Sequence, residues 1–426
     1  MPSRCQAAWL VHPALFLGLL SSCGSTLDRI GCTERGPGLD GGLNAEAAKL
    51  AALLPPASYP NAFREILGKS DSEIASKISG AFDQLFHGDP SREAIFVPVG
   101  ADQGYIADVY HDEIRSEGGG LGMIITVELD KRDEFDRLWR YAKATQVKNG
   151  PRAGYFPSFC TNSAGDEVAC DDPYGLQQIA TGLLLARGRW QDSAGTIDYG
   201  LEAEKLLDII RNKEAFNCGI VDEVTSTFDP TSKLAYDTPT TSSANVSSPA
   251  IVMPAYYDLW HQATGDPFWS EAAAAARSYW AASSNPVTGL MPVRATFDGT
   301  PVVGFDTFRT ESYRTFFNIA LDRIWGGGLP WLVDESNRLS QFFYAQGITS
   351  YGQVYSLDGT DKLSSRHEAA LVAANGVVGL VATSKYRSQF VAEAWDLAVP
   401  TGGGRYYAGI LQLLSLLILG GQMRVF

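Results

Sequence analysis

The sequence predicts an all-α domain, and three observations carry that prediction. Apolar residues recur at helical spacing along nearly all of the chain after residue 43. Strand-like runs are few and short, at Ile95–Val99 and Pro301–Val303. No internal repeat of about 34 or 40 residues is visible, which disfavours a helical solenoid.

Taken in order, helices are expected at about 45–54, 60–67 and 72–86, the last opened by the capping-box pattern Ser70-x-x-Glu73. A glycine-rich stretch leads into one at 118–129. Asp130 stands before the next, where Phe135, Leu138, Trp139 and Ala142 fall at i, i+3, i+4, i+7. Further helices are expected at 174–187, around Ala203, Leu206, Leu207 and Ile210, and at 249–264 and 267–282. Phe317, Ala320, Leu321 and Ile324 repeat the spacing, followed by 335–346 with Gly347 as a stop, then 367–383, 387–397 and 406–419. The run Ile410 to Leu419 is very apolar but short and holds Gln412 and Ser415, which suits a buried core helix and not a membrane span. A dozen helices in one domain suggest concentric inner and outer rings with a cleft at one end. Periodicity alone does not choose that barrel over an irregular bundle.

The 426 residues are 45% hydrophobic, enough for a large core. A net charge of −14 and a pI near 4.9 argue against nucleic acid or an anionic membrane as partner. Nine Trp, 18 Tyr and 20 Phe exceed what a core needs, and flat rings are a common way to hold sugar faces. Most aromatics in any protein are nonetheless core.

The N-terminus reads as an export signal over 1–22: Arg4, an apolar run from Ala14 to Leu20, then Leu20-Ser21-Ser22-Cys23. That end resembles a bacterial lipobox, which makes Cys23 the lipidated residue; an ordinary signal peptide is the plainer reading. Residues 23–43 then form a flexible tether and 44–426 one domain. Gly24 and Ser25 carry no retention acid, so an outer-membrane lipoprotein or a secreted protein is expected, touching membrane only through the anchor. In an oxidising compartment Cys160 and Cys170, which enclose a short polar loop, are the expected disulfide, with Cys32–Cys218 as a weaker option. The five His are scattered and no C-x-x-C occurs, so neither metal nor cofactor is expected.

Three acidic positions stand at helix starts or loop rims. Glu117 lies in Arg115-Ser116-Glu117-Gly118-Gly119-Gly120-Leu121-Gly122, where glycine permits close approach to backbone. Asp171-Asp172 precede the helix at 174, and Glu311 lies in Phe308-Arg309-Thr310-Glu311-Ser312-Tyr313-Arg314. The plain readings are an exposed turn Glu, a helix cap and a first-turn acid. The chemical reading is a set of separated carboxylates on one cleft, as glycoside hydrolysis needs.

These blocks resemble glycoside hydrolase family 8, from about Tyr59 to the C-terminus. The resemblance also rests on Tyr59-Pro60-Asn61-Ala62-Phe63-Arg64-Glu65, on Asp130-Lys131 with Glu134-Phe135-Asp136-Arg137-Leu138-Trp139, and on Gly188-Arg189-Trp190. Pro254-Ala255-Tyr256-Tyr257, Asn318 to Asp322 and Arg405-Tyr406-Tyr407 complete it. The xylan- and xylo-oligosaccharide-cleaving branch looks closest. The resemblance implies an (α/α)6 barrel and an inverting hydrolase of a β-1,4-glycan, acting as a monomer. Glu117 takes the general acid's place and Glu311 that of the general-base Asp, with Arg314 beside it. Asp171 and Asp172 are the nearest candidates for a sugar-contacting Asp, because the family's Asp-Gly-Glu run reads Tyr174-Gly175-Leu176 here. A family Tyr near the attacking water is replaced by Ile251. Tyr155, Phe156, Tyr313 and Tyr406 are expected near the sugar subsites. A β-1,4-glucan or chitosan is the alternative substrate, and a glycan-binding protein with a weakened site is the alternative class.

Overall fold

The computed structural model describes residues 50–157, 159–161, 167–168, 172–191, 197–326 and 329–426. The signal, Cys23 and the tether lie outside the described residues. Thirteen α-helices occur among those described. A short first helix, Ala62–Leu67, is capped by Asn61. The other twelve alternate between an outer and an inner layer.

The inner helices are α1 Ser116–Glu128, α2 Pro173–Trp190, α3 Pro254–Thr264, α4 Arg314–Trp325, α5 Ala369–Val381 and α6 Arg405–Leu419. They are apolar over most of their circumference, and α6 is buried without a break from Ala408 to Leu419. Each packs on the next and α6 packs back on α1, so the ring closes. Buried polar pairs pin neighbours together. Tyr256 Oη of α3 donates to Gln178 Oε1 of α2 at 2.7 Å, and Trp260 Nε1 donates to Thr181 Oγ1 at 3.0 Å. In a dry interior such groups are tolerated only when paired.

The outer layer is amphipathic: Asp71–His87, Arg132–Thr145, Tyr199–Phe216, Pro267–Ser283, Pro330–Ala345 and Arg387–Asp396. Arg132–Thr145 buries Phe135, Leu138 and Trp139, as the spacing predicts. Asp71–His87 begins with the full capping box of Ser70 and Glu73. The architecture is an (α/α)6 barrel. No helix among the described residues is long and apolar enough to cross a membrane.

Two expectations fail for identifiable reasons. The part of the 45–54 helix that is described, from Leu50, is not helical. Its backbone is held by tertiary bonds instead: Arg187 donates to the Leu50 and Ala51 carbonyls, and the Ala51 N–H donates to Ala263 O. Asp130 does not cap the following helix. It has φ of 60°, and its carboxylate accepts from Arg189 Nε and Trp190 Nε1, closing the turn onto α2.

More strand is present than the sequence suggests. Five antiparallel strands run in order β1 Phe96–Val99, β2 Gln103–Asp108, β3 Glu113–Arg115, β4 Phe159–Thr161 and β5 Glu167–Val168. Strand β3 passes directly into α1, so this sheet aims the first turn of that helix. Around Pro301 there is only an isolated bridge to Ala295.

One buried acid of the outer layer links the fold to pH. Glu335 is fully buried; Ser284 Oγ donates to it at 2.8 Å and Arg338 is its ion partner. Burial raises its carboxyl from 4.5 to about 7 against the pull of both partners. The folded state therefore binds more protons than the unfolded chain between those values, and stability falls as pH rises through that window. Urea midpoints measured from about pH 4.5 to 7 should decline, and the decline should flatten in Glu335→Gln. An unchanged slope in the variant would place the effect elsewhere.

Candidate active site

The N-terminal ends of the inner helices converge at one end of the barrel. Glu117 in the first turn of α1 meets Arg314 in the first turn of α4. Gly175 in the first turn of α2 lies against the Ser116–Glu117 backbone, and Tyr406 of α6 packs on Gly118. Helix N-termini carry partial positive charge, so this end favours carboxylates.

The glycine run proves to be a packing device. A Cβ on Gly120 would stand 2.6 Å from Gln178 Cβ, and one on Gly118 would stand 3.0 Å from the Tyr406 ring. A Cβ on Gly175 would stand 2.6 Å from both the Ser116 carbonyl carbon and Asp172 Oδ2. These residues serve close helix contact, not approach of a polymer to the main chain.

A cleft of about 520 Å³ opens over these helix ends, within the usual range for small-ligand sites. Four acids line it, Glu117, Asp172, Glu223 and Asp237, and four arginines, Arg115, Arg152, Arg294 and Arg314. The cleft is therefore charge-balanced, unlike the chain as a whole.

Glu117 is 16% exposed, and Arg314 Nη1 lies 2.7 Å from its Oε1. Burial pushes its carboxyl above the ordinary value; Arg314 opposes that, and Asp172 adds to it. The arginine partner is not foreseen by the sequence reading, which sets Arg314 beside Glu311. The Arg314 guanidinium also lies 4.5 Å from the Tyr174 ring centre, a cation–π contact that fixes its plane. Asp172 caps α2, accepting from Tyr174 N at 3.0 Å, and its other oxygen accepts from Ser116 Oγ at 2.8 Å. The cap reading is right, and the second bond couples that cap to the residue beside Glu117.

Glu311 stands apart from this group. It lies in a short 3-10 turn, is 47% exposed, and pairs with Arg309 at 3.5 Å. Arg314, expected to flank its carboxylate, reaches only its backbone carbonyl, through Nε at 3.4 Å. Tyr407 Oη ties the adjacent Thr310 carbonyl to α6 at 2.7 Å. Ile251 lines the cleft as an apolar side chain.

The expected subsite aromatics are core residues. Tyr155, Phe156 and Tyr313 are buried and present no ring face to a sugar. Tyr155 Oη is spent on Thr225 O and Tyr313 Oη on Gln353 O. Tyr406 is buried against Gly118, within electrostatic reach of Glu117. Tyr174 and Tyr407 are instead the rings that share Arg314's surroundings. Asp171, Cys170 and the side chain of Cys160 lie outside the described residues, and with them the expected Cys160–Cys170 bridge. Cys218 is disulfide-bonded. Asp108, His111 and Glu113 bring possible metal-ligand atoms within 4.8 Å of one another, but Arg115 already neutralises the two acids.

Sequence reasoning missed Asp237 and Arg294. Asp237 immediately precedes the polar stretch Thr238–Ser243, and no spacing distinguishes it from a loop acid. Short two-residue strands, Val246–Ser247 and Ala295–Thr296, pair antiparallel and bring the two loops together.

A closed helical barrel with acids at one end defines a glycosidase of the (α/α)6 kind. Residues 106–421 match the model for glycosyl hydrolases family 8, and the chain belongs to that family. It is 32% identical over 379 residues to the reducing-end xylose-releasing exo-oligoxylanase Rex8A of Paenibacillus barcinonensis, covering 87% of this chain and 97% of that one. A Rex8A mutant complexed with an arabinofuranosyl-xylotetraose superposes with a TM-score of 0.81. A xylanase from Teredinibacter turnerae, solved as a xylohexaose complex, gives 0.79 at 31% identity, covering 86% of this chain and 98% of that one. Endoglucanase A of Acetivibrio thermocellus is 27% identical over 72% of this chain and 62% of its own length.

The α1–α2 contact generates a stability test. Gly175→Ala should destabilise by about 1–3 kcal/mol through overpacking. Asp172→Ala should cost about 1 kcal/mol by loss of the cap, and Asp172→Asn much less. Urea unfolding of the three variants checks the ranking.

Proposed function

We propose that this glycosidase hydrolyses β-1,4-linked xylan or xylo-oligosaccharides with inversion, Glu117 acting as general acid. The observation that carries this reading is a carboxyl held above its ordinary pKa by burial, at the floor of a charge-balanced cleft. An acid that must arrive protonated needs that environment. The names of the relatives supply the sugar, with β-1,4-glucan as the second substrate to try. The balanced cleft argues against a cationic polymer, because its four arginines offset the four acids.

In the proposed step the bond between the anomeric carbon and the bridging oxygen breaks, and that oxygen takes the Glu117 proton. Water attacks the opposite face of the anomeric carbon and gives its proton to Glu311, the residue at the family's base position. Its solvent-facing carboxylate has access to the incoming water. Product forms with α configuration at the new reducing end, and proton exchange with solvent resets both acids.

Reducing-sugar release from xylan, xylo-oligosaccharides and β-glucan, with the product anomer read by NMR, tests the reading. Absence of release on all of them would overturn it. Glu117→Gln should fold and lose about 10²–10⁴-fold in turnover. Since Arg314 favours the ionised form of Glu117, Arg314→Met should move the alkaline limb of the pH–rate profile upward and Arg314→Lys should move it less. Glu311→Ala should abolish turnover while Glu311→Asp keeps a measurable part. Mild effects at both would shift the base to another carboxylate of the cleft.

We also infer export with lipid attached at Cys23, on the strength of the Leu20-Ser21-Ser22-Cys23 pattern. Metabolic labelling with palmitate should mark the wild type and not Cys23→Ala.

A further inference from the structure

We infer that Asp237 and Arg294 form a clamp for two adjacent hydroxyls of the pyranose that lies beside Glu117, and so select sugars unsubstituted at that diol. The inference rests on the glycosidase reading above and adds the group that grips the sugar.

Both residues line the cleft that holds Glu117, Asp172 and Arg314. Arg294 Nε lies 2.9 Å from Asp237 Oδ2. It is an ion pair through one carboxylate oxygen, and Nε is buried without a hydrogen bond of its own. Among the described residues the remaining oxygen, Oδ1, and the two Nη groups have no hydrogen-bond partner. Asp237 is 14% exposed and Arg294 36% exposed, and both line the cleft. An acceptor and a donor are thus held side by side. One hydroxyl of a vicinal diol donates to the carboxylate, and its neighbour accepts from the guanidinium.

The pair is built, not incidental. The Asp237 N–H donates to Val246 O, and the Val246–Ser247 strand pairs with Ala295–Thr296, immediately after Arg294. The Arg294 N–H donates to Phe305 O at 3.3 Å, and its guanidinium lies 3.9 Å from the Phe305 ring centre. Backbone register and ring contact therefore fix both heads before a ligand arrives. Arg314 and Asp172 are near enough to act on the Asp237 carboxyl, which puts it among the groups around Glu117. Burial raises that carboxyl while Arg294 and Arg314 hold it down, leaving an acceptor whose water shell is already incomplete.

Asp172, the sequence's candidate for the family's sugar-contacting acid, is already occupied. At the family's Asp-Gly-Glu position this chain has Tyr174, whose ring is covered by Arg314. Both oxygens of Asp172 are engaged, on Tyr174 N and Ser116 Oγ. Asp237, mostly buried, is a cleft carboxylate with an oxygen free for sugar.

The test measures xylotetraose binding by calorimetry in a Glu117→Gln background, which removes turnover, with and without Asp237→Asn. A hydrogen bond to a charged group contributes about 1.5–3 kcal/mol, so the double variant should bind roughly 10- to 100-fold more weakly. Its thermal midpoint should match that of Glu117→Gln, and in the otherwise native enzyme Asp237→Asn should lower kcat/KM at least as much. Xylotetraose methylated at O2 and O3 should bind poorly to Glu117→Gln, and Asp237→Asn should add little further loss. Equal xylotetraose affinity with and without Asp237→Asn would overturn the clamp while leaving the hydrolase reading intact. A parent that releases no sugar yet binds xylotetraose through Asp237 would overturn the hydrolase reading and keep the clamp. Failure of Glu117→Gln to bind any xylo-oligosaccharide or β-glucan oligosaccharide would overturn the clamp and remove support for the substrate.

Discussion

The contact between Glu117 and Arg314 is the constraint around which the cleft is organised. It joins the first turns of α1 and α4, opposite members of a closed ring, at 2.7 Å with both side chains mostly out of water. A buried ion pair recovers little stability against the cost of drying its charges. Here two effects on one carboxyl oppose each other: burial raises it and the arginine lowers it, and burial prevails. The proton on Glu117 therefore depends on how well the surrounding helices exclude water. Any change that wets this floor strengthens ionisation and removes the acid.

Exclusion of water is in turn a matter of helix contact. Gly118, Gly120 and Gly175 let α1, α2 and α6 approach where side chains would keep them apart. The Asp172 carboxylate, placed between the cap of α2 and Ser116, converts that proximity into directed hydrogen bonds. Sequence, packing and acidity form one chain of cause at this end of the barrel.

The helices of both layers were legible in the sequence because they carry strong local signals, while their closure into a barrel was implied only by the family resemblance. Outer helices show apolar residues at i, i+3, i+4, i+7, and inner helices are nearly continuous apolar runs such as Ile410 to Leu419. The segment after Leu50 misled because its alanines and leucines favour helix, while donors from Arg187 hold it extended. Glu117 drew attention through its glycine-rich surroundings, although those glycines serve helix packing. Its partner was not, since the sequence places Arg314 three residues from Glu311 and nearly 200 from Glu117. Asp237 and Arg294 are joined by a two-residue strand pair, too short to leave a pattern. The aromatics near the blocks were guessed as sugar platforms, yet burial of Tyr155, Phe156 and Tyr313 makes them core.

Three positions that depart from the family pattern, Tyr174, Ile251 and Glu311, are better read together than singly. Tyr174 provides a ring for Arg314 to lie against, while Asp172, two residues earlier, keeps a negative charge near Glu117. Arg314 has Glu117 as its carboxylate partner. Glu311 then turns to Arg309 and to solvent. Its side chain is one methylene longer than the Asp that the family resemblance implies at that position. Ile251 leaves the attacking-water side without the hydroxyl that a tyrosine would give. Displacements of about 1 Å between reacting groups cost on the order of 100-fold in rate, so firm seating of the sugar matters more here than in a site with the full set of partners. A preformed pair such as Asp237 and Arg294, fixed by backbone register before the ligand arrives, meets that demand.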